Sequence, residues 1–143
     1  MSIDGPILEL PELECWERLK ANEFGRLAYH LIDEVHIVPI NYAAAPGHRL
    51  LFRTAEGSKL LGVVMHGDVA FEIDNFEGEH AWSVVARGRA RQLEGQEARD
   101  ADHLPLRPWV SSPKYNVVAI DVTEVTGREF DLNRPWLHMI PRQ

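Results

Sequence analysis

The sequence predicts a mainly β protein: a six-stranded antiparallel sheet curled into a closed or partly closed barrel, with small helices between the strands. Three observations carry this expectation. Runs of alternating apolar and polar residues recur along most of the chain, the links between them are mostly of hairpin length, and only short stretches keep a helical period. At 143 residues, 45% hydrophobic and 26% charged, the chain has the size and composition of one globular domain, so 1–143 is read as a single unit.

The elements follow in order. Leu13, Trp16 and Leu19 recur at helical spacing, Pro11 suits a first turn and Gly25 a stop, so a helix is expected over about 11–22. The barrel is expected over about 24–131, followed by a tail over 132–143. "GRLAYHLI" sets Leu27, Tyr29 and Leu31 on one face, and "EVHIVPINY" sets His36, Val38, Ile40 and Tyr42 on one face, with an acidic turn at Asp33–Glu34 between them. "LLFRT" reads as a third strand, and "SKLLGVVMHG" as a short helix capped by Ser58 and closed by Gly67. "DVAFEID" points Val69, Phe71 and Ile73 inward, "NFEGEH" reads as a turn, and "AWSVVARGRARQL" as a long fifth strand in which Gly88 marks a bulge or a close approach. "EGQEARDADHL" has helical propensity, "PLRPWVSSPKYN" is a proline-rich loop, and "VVAIDVTEVTGREF" is the sixth strand, bent at Gly127.

Charge and composition narrow the function classes. A net charge of -7 argues against nonspecific nucleic-acid binding, which needs a broad basic surface. No apolar run reaches the roughly 18 residues of a spanning helix, and "MSIDGPILELPELE" lacks the pattern of an export signal, so a cytoplasmic protein without a membrane partner is expected. The single cysteine, Cys15, beside Trp16 in the first helix, reads as a small buried hydrophobe. Seven histidines are scattered without metal-ligand spacing, so no metal is assigned.

The densest chemistry lies in "RTAEGSK", where Arg53, Thr54, Ser58 and Lys59 gather around Gly57 at the junction from strand to helix. Helix N-terminal N–H groups, hydroxyls and a planar two-point cation are what a phosphate requires. The same letters also read as an ordinary capped turn with Arg53 paired to Glu56. Pro39 inside an apolar strand deletes a ladder donor, which fits an edge or an opening for a ligand.

In combination, "GRLA", "HIVPINY", "LLFRTAEGSK", "DVAFEID" and "WSVVARGRA" resemble the pyridoxamine 5′-phosphate oxidase-like flavin-binding split barrels, particularly the short bacterial members grouped with nitroimidazole-resistance proteins. The resemblance covers about residues 11–130. It implies a six-stranded split barrel that forms a homodimer, with FMN in clefts at the subunit interface. By this resemblance Arg53, Thr54, Ser58 and Lys59 would hold the 5′-phosphate, Val38, Pro39, Ile40 and Asn41 would lie along the ring and ribityl chain, and Trp82 and Ser83 would line the cleft. It also implies an FMN-dependent oxidoreductase passing a hydride or electrons from a reduced nicotinamide to a small acceptor, with no catalytic side chain assigned. The alternatives are an F420-dependent reductase using the same cleft and a flavin carrier without turnover. Pyridoxamine-phosphate oxidases proper supply arginine and histidine to their substrate from a terminal segment that "NRPWLHMIPRQ" does not match, so the vitamin B6 reaction is not expected.

Two features stay open at the level of sequence. Arg87, Arg89 and Arg91 share one face of the fifth strand, either paired across the sheet with acids such as Glu72, Asp74 or Asp121, or lining a groove for an anionic ligand such as F420. Trp109 is either a hydrophobic plug for the barrel or a lid over the flavin, where it would also meet the substrate, and Arg107 and Lys114 in the same loop would meet an anionic substrate.

Overall fold

The computed structural model describes residues 7–55, 67–104 and 115–131. In chain order these form β1 (Leu8–Glu9), α1 (Glu12–Ala21), β2 (Phe24–Leu31), β3 (Glu34–Asn41), β4 (Ala43–Ala45), β5 (Arg49–Ala55), β6 (Asp68–Glu77), β7 (His80–Gln92), α2 (Gly95–Ala101) and β8 (Tyr115–Asp131). The strands make one 8-stranded antiparallel sheet in the order β3-β2-β6-β7-β8-β5-β4, with β1 added on β8. Its curl brings β3 back toward β5, giving a split barrel. The expected helix at Ser58–Lys59 and the loop carrying Trp109 lie outside the described residues, as does the tail.

Alternation decides which side chains fill the barrel. Leu27, Ile40, Leu50, Phe52, Val69, Phe71, Ile73, Val84, Ala86, Val118 and Ile120 form the buried interior with Cys15, Trp16 and Leu19 of α1, which closes one end. The Tyr42 hydroxyl donates to the Leu19 carbonyl at 2.7 Å and ties α1 to the chain just beyond β3. On the opposite face of the sheet α2 packs Ala101 with Leu51, Val117 and Ala119 as a second, smaller core.

Several expectations are corrected. The first hairpin turns at Ile32–Asp33, one residue earlier than expected, because Leu31 pairs with Glu34 and the tight turn takes Ile32 to φ 56. The second turns only at Gly78–Glu79, since Phe76 and Glu77 still pair with β7. β1 and β4 were not expected, and α1 ends at Asn22, whose side-chain amide donates to the Arg18 carbonyl. Gly25 therefore serves another purpose: a Cβ there would strike the Phe71 ring and the Glu72 carbonyl, so β2 can lie this close to β6 only with glycine. Gly88 lies opposite a bulge and makes a close approach, the two alternatives expected: Arg87 pairs with Glu124 and Gly88 with Val122, leaving Thr123 of β8 as the extra residue, and a Cβ at Gly88 would collide with the Asp121 carbonyl.

Candidate functional site

The period of two along each strand sorts the expected ligand-binding residues onto two faces. Ile40 is buried in the interior and Val38 packs against it, so these side chains build the core and only their backbone can meet a ligand. Pro39 and Asn41 point to the outer face. Among the described residues β3 is an edge of the sheet, a place where the ladder tolerates the missing N–H of Pro39.

Arg53 and Thr54 are consecutive in β5, so they too diverge. Thr54 follows Leu50 and Phe52 inward; its Oγ1 is buried and has no hydrogen-bond partner among the described residues. Arg53 follows Leu51 to the outer face, where its guanidinium stands 3.5 Å from the exposed Asp102 carboxylate just beyond α2. Expected pairing of Arg53 with Glu56 falls outside the described residues, while Asp102, 49 positions on, could not be read from the sequence.

Trp82 and Ser83 split in the same way. Trp82 turns inward, half-buried, with the Arg18 guanidinium 4.7 Å above its ring. Ser83 shares the outer face with Arg87, Arg89 and Arg91 and pairs with Asp74 in register. Asn41 pairs with Phe24 on β2 and Ser83 with Asp74 on β6, and β3 and β7 stand three strand spacings apart, or about 14 Å. Within one chain the outer-face residues are thus spread around the sheet: Pro39 and Asn41 stand on β3, the strand that comes back toward β5, and Ser83 lies well to one side.

Between these places the outer face is strongly charged. Arg26, the cross-strand partner of Pro39, donates to Glu72 at 2.6 Å and to Asp74 at 2.9 Å. Burial and the adjacent Asp74 carboxylate push the Glu72 carboxyl up to about 7, with Arg26 opposing them. Arg91 binds Asp121 and Glu97, and Arg49 also reaches Glu97, so α2 is held to the sheet by acids. The expected pairing of the arginine ladder is therefore realised at Asp121, whereas Glu72 and Asp74 are taken by Arg26. Among the described residues Arg87 makes one long ion-pair contact, with Glu124 at 3.9 Å. At the far end of β7, His80 bridges Glu129 and Asp131, which raise its affinity for a proton.

Sequence reasoning offered Arg87 as one side of a groove but missed the floor beside it. Ala28 and Ala70 are cross-strand partners on β2 and β6, and with Gly88 and Arg87 they border a depression of about 450 Å³ that none of the residues expected to hold the flavin lines. The signal was present as alanines at matched outward positions of two strands, but it needs the register to be seen. Among the described residues no group of three or more metal-ligating side chains converges, and no helix is long and apolar enough to cross a membrane.

Comparison with known proteins places these features in a family. A family model described as pyridoxamine 5′-phosphate oxidase matches residues 11–129. A Corynebacterium glutamicum structure provisionally named as such an oxidase is 40% identical, with 93% of this chain and 99% of that one covered at a TM-score of 0.80. The FAD-binding protein of Mycobacterium smegmatis is 35% identical over 88% of this chain and 100% of its own, with a TM-score of 0.81. An FAD-binding protein of Mesorhizobium loti is 25% identical over 87% of this chain and 99% of its own, with a TM-score of 0.68.

Proposed function

Because the chain belongs to the pyridoxamine 5′-phosphate oxidase family, we propose that it is a homodimeric flavoprotein that binds FMN between two copies and acts as an oxidoreductase. The observation that carries this reading is the end of β5. There, on opposite faces of the strand, Thr54 has a buried hydroxyl without a partner among the described residues, and the Arg53 guanidinium has an exposed carboxylate at 3.5 Å. A buried hydroxyl left unpaired costs about 1–3 kcal/mol, so a ligand or the following "GSK" segment has something to satisfy. The FAD-binding relatives support a flavin as that ligand, and FMN and FAD share the phosphate that Arg53 would hold.

Two features support the second copy. On the outer face of β3, Val35 is 83% exposed and Ile37 65%, an apolar strip that a monomer would leave in water. In addition, Ser83 lies about 14 Å along the sheet from Asn41, a separation that suits the two lining clefts shared with a second copy.

In this arrangement Arg53, with Ser58 and Lys59, binds the phosphate, the free edge of β3 lies along the ring and excludes water, and Arg26 places a cation beside Pro39. Bound flavin supplies hydride and electron transfer between a reduced nicotinamide and a small acceptor. No side chain of the chain has to act as the base.

The test is the visible spectrum and mass of cofactor released from the purified protein, together with its mass by ultracentrifugation. Arg53→Ala should weaken FMN binding about ten- to a hundredfold, the value of one charge-assisted contact to an anion. Equal affinity in the variant would remove Arg53 from the site. Released FAD would change the flavin, binding of F420 but not FMN would change the cofactor class, and tight FMN without turnover on any acceptor would leave a carrier.

A further inference from the structure

We infer that the groove bordered by Ala28, Ala70 and Gly88 binds the substrate of the proposed flavoenzyme, and that this substrate is a flat aromatic carboxylate whose anionic group is taken by Arg87. The inference rests on the flavin reading for what is done to the bound molecule; the groove itself is a matter of geometry. Its volume of about 450 Å³ lies within the range of small-molecule sites, typically about 300–1,000 Å³.

Its position follows from the register. Pro39, Arg26, Glu72 and Val85 form one cross-strand row of the outer face, and Ile37, Ala28, Ala70 and Arg87 form the next. Rows on one face are two residues apart along each strand, about 7 Å, so the groove opens directly beside the strip assigned to the flavin ring. Paired alanines where neighbouring rows carry Arg26 and Glu72 leave a low apolar floor. Val35, at the end of the strip proposed to meet the second copy, adds an aliphatic wall where the groove reaches the subunit boundary, and His30 a polar edge.

Charge selects the ligand's anionic group. Two acids line the groove, Asp68 and Glu124, and each has a cation across the ladder: Asp68 is opposite Arg89, and Glu124 is opposite Arg87. Arg91 is engaged at 2.6 Å by Asp121, so it is not a cation for a ligand. Arg87 differs from it. Its contact with Glu124 is 3.9 Å long and both side chains are more than half exposed, a pair worth little in water. A carboxylate arriving from the groove can make the bidentate contact that Glu124 does not, and Glu124 can turn to solvent.

The test uses 2-naphthoate and its neutral near-isostere 2-naphthamide, titrated calorimetrically into the protein as purified, with flavin content read separately by absorbance. Parent protein should bind naphthoate at least tenfold more tightly than the amide. Arg87→Gln should erase that preference while changing amide affinity less than about twofold, and Arg87→Lys should restore part of it. Ala70→Leu, which fills the floor, should weaken both ligands. Equal binding of naphthoate by parent and Arg87→Gln overturns the inference. So does an Arg87→Gln protein whose only change is its monomer–dimer balance, because the groove would then be an interface between copies. A protein without flavin that still shows the Arg87-dependent preference would sink the proposed function and leave the groove's ligand class standing.

Discussion

Glu72→Gln should reshape the dependence of stability on pH. Glu72 shares Arg26 with Asp74, and its carboxyl is raised from its ordinary 4.5 to about 7, first by burial and then by Asp74. Below about pH 4.5 both folded and unfolded chains hold this proton, and Glu72 costs nothing. Between about 4.5 and 7 the unfolded chain releases the proton and the folded chain keeps it, so unfolding is favoured increasingly as pH rises; above about 7 the loss is complete. At roughly 1.4 kcal/mol per tenfold the full displacement would be about 3 kcal/mol. The Glu72 side chain is 30% exposed and Asp74 41%, so solvent screening reduces the expected loss to about 1–2 kcal/mol. Glutamine keeps the contact with Arg26 and has no proton to lose. Urea unfolding of parent and variant at pH 4.5 and pH 7.5, at one protein concentration, should therefore show the variant gaining about 1–2 kcal/mol on the parent between the two conditions. A difference between parent and variant that is the same at both pH values would refute the assignment of a raised carboxyl to this cluster.

Two further outcomes test the framework that positions the site. Gly88→Ala should cost about 2–4 kcal/mol in thermal or urea unfolding, because the new methyl meets the backbone carbonyl of Asp121, which cannot swing away as a side chain could; a neutral result would show that the β7–β8 bulge yields. Tyr42→Phe should cost about 1–2 kcal/mol by removing the buried hydroxyl's bond to the Leu19 carbonyl, with protection of α1 amides from hydrogen exchange falling in step.

How much of this could be read in the letters depended on whether a feature was periodic. β6 and β7 alternate strictly, so their faces and the Gly88 irregularity were legible, as was the Leu13–Trp16–Leu19 helix. β4 is three alanines, which carry no alternation, and Ile32 is a residue type that gives no hint of a left-handed turn. The site was legible as a list but not as a shape. Arg53 and Thr54 look like a cluster because they are adjacent, yet adjacency in a strand is what sends them to opposite faces. The partners that set the electrostatics, Asp102 for Arg53 and Glu72 for Arg26, lie 49 and 46 positions away, where only the sheet order can bring them close.

That order also bears on how the chain is made. Among the described residues the β4–β5 pair joins the rest of the sheet through β8 alone, and β8 is the last strand to leave the ribosome. At about 5–20 residues per second, some seconds pass between synthesis of β5 and arrival of the strand that completes it. During that interval the two-strand pair has no partner, and a pair of strands on its own is marginal in water. The apolar faces of Leu50 and Phe52 then wait for Val118 and Ile120. Slow translation within residues 56–114 would lengthen this exposure of the β4–β5 pair.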